Sequence, residues 1–287
     1  MNKGLFPERK PLTKEDIQRL KENLPKKVEI RPEGTKITEK DDEPCDVAPI
    51  LESHSEEISV PLSAEEIRAF QIYATMLKEK NKVMNLTAVD DDKGIAMKHF
   101  IDSLTLCPYI RQEEAKSKKQ LTFIDVGTGA GFPGLPVKIS CPELSVTLMD
   151  SLDKRLKFLN EVIAALDLKD CSTVHSRAED AGRNKKFREK YDIVTARAVA
   201  RLSVLAEYCL PLVKVGGVFL AMKAHSDEEE TEASKAIALL GGTIEKTDTF
   251  TLPGTDMERT IIVVRKIRPT PARFPRKAGT PSKTPIV

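Results

Sequence analysis

Apolar positions along this chain fall into three regimes. Residues 1–60 show no sustained apolar period and hold 25 charged residues and six prolines. Such a stretch buries too little to offset its ordering entropy, which predicts a mostly disordered extension with a short helix around Lys14 to Glu22. From Ser63 the pattern becomes helical. Ser63 is followed three residues later by Glu66, the capping-box spacing, and Ile67, Phe70, Ala74 and Leu77 recur at three- and four-residue intervals to about Lys80. A second helical pattern runs from about Lys93 to Tyr109 with Ile95, Phe100, Leu104 and Cys107 apolar, and it places His99 and Asp102 on one face. These helices need a surface to cover, and the charged stretch Arg111 to Lys119 reads as the joint to it.

The third regime begins at Leu121. Short β-rich apolar runs at 121–126, 145–149, 171–175, 193–196 and 218–222 alternate with helical stretches at 135–140, 154–166, 178–186, 202–213 and 228–240. This alternation predicts right-handed βαβ units and a parallel sheet covered on both faces. Gly241 and Gly242 close the last helix, and 243–251 and 259–266 flank Leu252-Pro253-Gly254-Thr255, so the chain ends in an antiparallel hairpin. The expectation is an α/β protein with a mostly parallel seven-stranded sheet and a C-terminal antiparallel hairpin. It divides into an extension (1–60), an N-terminal helical cap (61–118), the sheet domain (119–266) and a tail (267–287).

Composition narrows the class. The 287 residues are 40% apolar and 31% charged, which excludes collagen-like and wholly disordered chains. No apolar run approaches the roughly 18 to 20 residues of a membrane span, and Met1 to Arg9 lacks an apolar signal core, so a cytoplasmic protein is expected. Cys45, Cys107, Cys141, Cys171 and Cys209 include no C-x-x-C pair, and His54, His99, His175 and His225 share no ligand spacing; neither disulfides nor metal are expected.

The net charge of +2 conceals an uneven distribution. Seven basic residues and no acidic one lie from Arg265 onward, so residues 1–264 carry 2 − 7 = −5. With five prolines interspersed, this tail is read as unable to form a helix and as lying extended along RNA phosphate through Arg273, Arg276, Lys277 and Lys283. A solvated terminus without a partner fits the same composition.

Chemistry concentrates in residues 123–134. A strand feeding a glycine-rich turn into a helix lets the backbone approach a ligand and offers free amides. Gly129, Gly131 and Gly134 satisfy the dinucleotide spacing G-x-G-x-x-G, but Gly127 is the glycine that follows the strand, and from there bulky Phe132 occupies the third position. Leu135 stands where a triphosphate-binding loop needs lysine. Asp125 with Gly127, Gly129 and Gly131, followed by Asp150 at the end of the next strand, suits a ligand with a cationic end and a ribose, which describes S-adenosylmethionine. Asp125 as a turn cap and Asp150 as a helix N-cap are the structural alternatives.

The sequence resembles a known family from about Pro61 to its end: the bacterial 16S ribosomal RNA guanine-N7 methyltransferases, also called glucose-inhibited division protein B. The resemblance is carried by Lys98-His99-Phe100-Ile101-Asp102-Ser103-Leu104, by the glycine loop from Asp125 to Gly134, by Leu148-Met149-Asp150-Ser151, Ser176-Arg177-Ala178-Glu179 and Thr195-Ala196-Arg197-Ala198, and by the tail from Phe274 to Pro281. It implies a class I (Rossmann-like) methyltransferase fold with a small helical cap. It also implies cofactor contacts at Gly127, Phe132, Ala178, Glu179 and Arg197; with Asp150 from the reading above and Ser151 beside it, these make the expected cofactor site of a monomer acting on 16S ribosomal RNA or the small ribosomal subunit. Residues 1–60 depart from the family in length.

Guanine N7 presents a lone pair and needs no general base, so orientation is expected to carry the rate, worth roughly 7 to 11 kcal/mol. No Asn-Pro-Pro-Tyr or Asp-Pro-Pro-Tyr run for exocyclic amines is present, and at Cys107 and Cys141 the proline follows the cysteine, the wrong order for a nucleophile toward pyrimidine carbon. Arg197, Lys223 and His99 are the candidates to face cofactor or RNA; an ion pair for Arg197 and a packing role for His99 and Asp102 are the alternatives. Two other functions remain compatible with the residues: an NAD(P)-dependent oxidoreductase using the Gly129-Gly131-Gly134 spacing, and an RNA-binding assembly protein without turnover.

Overall fold

A computed structural model of the chain describes residues 45–197, 200–224 and 229–286. The expected helix at 14–22 and most of the expected extension lie outside them. Residues 45–60, expected to belong to that extension, instead fold into the cap. Helix α1 (Ala48–His54) turns Leu51 inward, and Cys45, Val47 and Val60 are buried with it. These few apolar residues sit in a polar window and find their surface only in the tertiary structure.

Helix α2 (Ala64–Met84) starts at the foreseen capping box: Ser63 N donates to Glu66 Oε2 at 2.8 Å, and Glu66 N donates to Ser63 Oγ at 3.3 Å. Three consecutive segments, Asp92–Gly94, Ile95–Ile101 and Asp102–Leu104, form α3, whose middle part is wound more widely, as a π-helix. Helix α4 (Cys107–Lys116) runs through the stretch read as a joint. Its charges form a solvated helix face, Ile110 is its buried anchor, and Glu113 accepts from Arg265 Nη2 at 2.8 Å.

The sheet domain follows the expected order. Strands β1 (Thr122–Val126), β2 (Ser145–Asp150), β3 (Cys171–His175), β4 (Tyr191–Arg197) and β5 (Val213–Lys223) are parallel. They are linked by α5 (Gly134–Ser140), α6 (Asp153–Ala165), α7 (Ala178–Arg183) and α8 (Leu202–Cys209). After α9 (Glu229–Leu239), β6 (Gly242–Thr251) and β7 (Glu258–Lys266) form the antiparallel hairpin. The strand order is β3-β2-β1-β4-β5-β7-β6, with β7 inserted antiparallel beside β5. This is the class I methyltransferase arrangement.

Two hydrophobic cores lie on the two faces of the sheet. On one, Phe123, Leu148, Ile193 and Leu220 meet the cap and helices α5 and α6; on the other, Ile124, Val194, Phe219 and Val264 meet helices α7, α8 and α9. The alternation of β1 therefore turns Asp125 toward the cap face, beside Phe123 in register.

The tail departs from expectation. Residues 267–286 fold back onto the second face, Phe274 and Pro281 are buried, and Thr280–Lys283 form a short helix, α10. Burial of Phe274 anchors a segment whose composition alone reads as solvated. The basic residues of this region are partly structural. Lys266 is fully buried and donates to Leu210 O and Thr270 Oγ1, and its burial pulls its pKa down to about 8. Arg268 donates to Ala238 O, and Arg276 pairs with Glu207. No helix among the described residues is long and apolar enough to cross a membrane.

Candidate active site

The loop after β1 is shaped by three glycines at positive φ: Gly127 (75°), Gly129 (61°) and Gly131 (107°). The amides of the first two are placed by the neighbouring strand, and that of Gly131 donates to Thr128 O within the loop. Gly127 N and Thr128 N donate to Met149 O at 2.8 and 3.0 Å, and Gly129 N donates to Asp150 Oδ2 at 3.0 Å. A Cβ added at Gly131 would stand 2.5 Å from Tyr73 Oη, whereas at Gly129 the nearest atom would be 4.0 Å away. Gly131 is thus required for packing, and Gly129 leaves an open cradle at the end of β1.

Asp125 lies beneath this loop and is fully buried. Its Oδ2 accepts from Thr128 Oγ1 at 2.7 Å and from Gly134 N at 2.9 Å; its Oδ1 is buried without a partner. Burial raises its pKa to about 6, against the opposing pull of Thr128, Gly134 and Arg197. The turn-capping role describes Oδ2, and Oδ1 is left over from it. Asp150 also combines roles: besides Gly129 N, it accepts from Leu152 N at 2.8 Å at the start of α6 and pairs with Arg155 at 3.2 Å. Ser151, next to it, is exposed, and its carbonyl lies 3.0 Å from His175 Nε2.

The cap forms one wall. Tyr73, from α2, donates to Ala130 O at 2.5 Å and stacks on Phe132, with ring centroids 5.5 Å apart. His99 stacks on Phe132 at 4.4 Å, and the Arg197 guanidinium lies 5.1 Å from the same ring. Phe132 is therefore drawn into the cap and does not fill the cradle. Arg197 Nη1 donates to Lys98 O and to Asp102 Oδ2 at 3.0 and 3.1 Å, while Arg259 Nε donates to Asp102 Oδ1 at 2.8 Å. Asp102, 4% exposed, thus bridges two guanidiniums from β4 and β7. His99 is fixed by Thr87 Oγ1, 2.7 Å from Nε2, and burial beside Arg197 lowers its pKa to about 4, so it is neutral at pH 7. The ion-pair reading of Arg197 and the packing reading of His99 and Asp102 describe their geometry.

On the other side, Ala178 and Glu179 begin α7. Glu179 is 6% exposed and accepts from Gly279 N at 2.8 Å. Its carboxylate faces the tail. Lys223 Nζ donates to Ala200 O at 2.9 Å. Arg273, Lys277 and Lys283 are exposed, while Arg276 is held by Glu207. The fold brings together Asp125, Gly127, Gly129, Gly131, Phe132, Asp150 and Arg197 around the loop after β1. Sequence reasoning did not single out Tyr73, Arg259 or Glu207. Tyr73 fits the core side of the α2 period and carries a hydroxyl, a faint signal that its position could have given.

Comparison with known proteins agrees with this arrangement. Residues 66–256 match the profile of the family described as GidB, rRNA small subunit methyltransferase G. The chain is 58% identical over 227 residues to the ribosomal RNA small subunit methyltransferase G of Acetivibrio thermocellus, covering 79% of this chain and 91% of the relative. It is 52% identical over 232 residues to the protein of the same name from Geobacillus thermodenitrificans, covering 80% and 95%. Among solved structures, a mutant of the 16S rRNA (adenine(1408)-N(1))-methyltransferase from Catenulisporales acidiphilia is similar at 15% identity and a TM-score of 0.44, covering 56% of this chain and 92% of that one. A Haloferax volcanii complex of the Trm112 activator and a methyltransferase gives 14% identity and 0.46, covering 61% and 92%. Those two likenesses carry no argument about function. The sequence relationships do: the chain belongs to the rRNA small subunit methyltransferase G family.

Proposed function

We propose that this protein transfers the methyl group of S-adenosylmethionine to N7 of a guanine in 16S ribosomal RNA, as a monomer acting on the RNA or the small subunit. The observation that carries the donor reading is the unpartnered, fully buried Oδ1 of Asp125 beneath the open cradle at Gly129. A buried carboxylate oxygen without a donor suits a ligand that brings a cationic hydrogen-bonding end. Asp150 stands across the loop for the ribose end, and the main chain at Gly127 and Phe132, with Ala178 at the start of α7, completes the cradle. The acceptor reading rests on family membership, through relatives that this chain matches over nine-tenths of their length.

When bound, S-adenosylmethionine supplies a methyl carbon on a positively charged sulfur, open to in-line displacement by the guanine N7 lone pair. The chain's own task is alignment. No side chain has to remove a proton, and His99, neutral and tied to Thr87, is placed as a wall of the site. Arg197 keeps the Phe132 ring against the cap and so keeps the cradle clear. Preorganisation of this kind lowers a barrier by holding the partners in reacting geometry. The exposed cations Arg273, Lys277 and Lys283 serve RNA phosphate.

The oxidoreductase reading gains nothing from the geometry. Gly131 and Gly134 are packed against Tyr73 and Asp125, and neither amide faces open space for a pyrophosphate. The test is to incubate 16S rRNA and small subunits with methyl-labelled S-adenosylmethionine and map the label. Incorporation as N7-methylguanine is expected; a protein that binds S-adenosylhomocysteine but incorporates no label into either substrate would be a binding protein, and the proposal would fall.

A further inference from the structure

Building on the donor reading above, we infer that residues 274–279 form a strap that sets the α7 side of the donor site, with Arg276 as its positioning residue through Glu207 and not an RNA contact. Arg276 meets Glu207 with three donors: its backbone N at 2.7 Å, Nε at 2.9 Å and Nη2 at 2.6 Å. The Glu207 side chain is 1% exposed. A carboxylate this deep requires its partner, because stripping water from it costs several kcal/mol unless a cation and hydrogen bonds replace the solvent. Arg276 is that replacement. A guanidinium so engaged has little left to offer a phosphate.

Three residues further on, Gly279 N donates to Glu179 at 2.8 Å, at the first turn of α7. Just before Arg276 the strap lies directly on the same helix. A Cβ on Gly182 would stand 2.9 Å from the Pro275 ring, and Arg183 Nε donates to Pro275 O at 2.8 Å. Arg188 Nη1 closes the contact by donating to both Gly182 O and Phe274 O at 2.7 Å. Helix α7 is therefore held at both ends by the strap. Just before α7, Ser176 N donates to Asp150 O at 3.1 Å, and the Asp150 carboxylate holds Gly129 N. A continuous path of hydrogen bonds and packed residues connects Arg276 with the cradle. In six residues, α7 has little internal hydrogen bonding of its own, so an external strap decides its position.

The test uses the full chain and S-adenosylhomocysteine as probe. Calorimetry should give about tenfold weaker binding for Arg276→Ala, with most of the loss recovered in Arg276→Lys, which restores one charged contact. In turnover the donor KM should rise and kcat at saturating donor should stay near wild type. The salt dependence of RNA binding should be unchanged, since no phosphate contact is removed. Coupling is reciprocal, so adding S-adenosylhomocysteine to the wild-type chain should slow amide exchange at Arg276 and Gly279; this readout stands even if the alanine variant does not fold. An Arg276→Ala protein that binds the probe as tightly as wild type, or strap amides indifferent to the probe, would overturn the inference while leaving the donor reading intact. A wild-type chain with no affinity for the probe would remove both.

Discussion

On the cap face of the sheet, Phe132 is held by rings and a guanidinium, and the guanidinium by Asp102. On the opposite face, α7 is held by arginines that grip main-chain carbonyls and by carboxylates that accept main-chain amides. The first arrangement relies on side-chain shape and on one deep charge cluster. The second depends on the path of the backbone. It follows that substitutions on either face should cost stability where they break a buried charge pair, and that those in the tail should reach the ligand only through the position of the α7 backbone.

The strongest test of this comparison is Asp102→Ala. It strands Arg197 and Arg259 without their common carboxylate, and breaking a buried pair in this way costs about 3 to 5 kcal/mol. Denaturant unfolding should show a loss of that size; a loss below about 1 kcal/mol would mean the cap is held by packing alone. Tyr73→Phe tests the cap more finely. It keeps the ring and removes the donor to Ala130 O, which should lower stability by about 1 kcal/mol and weaken S-adenosylhomocysteine binding, read by unfolding and calorimetry on one preparation.

Acid should separate the two titrating groups. His99, whose pKa is held near 4, contributes stability that is complete above about 6.5 and is lost as pH falls toward 4, because the unfolded chain takes up the proton first. Asp125 works in the other sense. With its pKa raised to about 6, its contribution is complete below the unfolded value and lost as pH rises through 6, and ionisation then favours a cationic ligand. Affinity for S-adenosylmethionine should therefore rise between about pH 5 and 7 and level off above it. Asp125→Asn should bind more weakly at pH 7 and lose that dependence; an unchanged profile would remove Asp125 from the donor site. The smallest expected effect is Lys283→Ala, which should leave unfolding unchanged and reduce the slope of log affinity for RNA against log salt by about 0.9.

The strands were legible because each is a short apolar run between turn residues, and the loop was legible because glycines at 127, 129 and 131 follow a strand ending in Asp125 and Val126. The tail was not. Prolines and unbalanced positive charge describe a solvated segment in any local window, and the carboxylates that contradict this, Glu179 and Glu207, lie 100 and 69 residues away along the chain from their partners. Asp102 shows the same limit: Arg197 is 95 residues distant and Arg259 157. Residues 45–60 were hidden for a simpler reason. Three well-placed aliphatic side chains, Val47, Leu51 and Val60, are too few to mark a period, yet each is fully buried.

The bridging of Arg197 and Arg259 by one carboxylate sets two positive charges against one within these three groups, with His99 uncharged beside them. Mobile ions reach a sheltered charge poorly, so its field persists at ionic strengths that mute exposed lysines. An approaching polyanion would feel this attraction close to the cradle even in concentrated salt, after the longer-ranged pull of the periphery has faded.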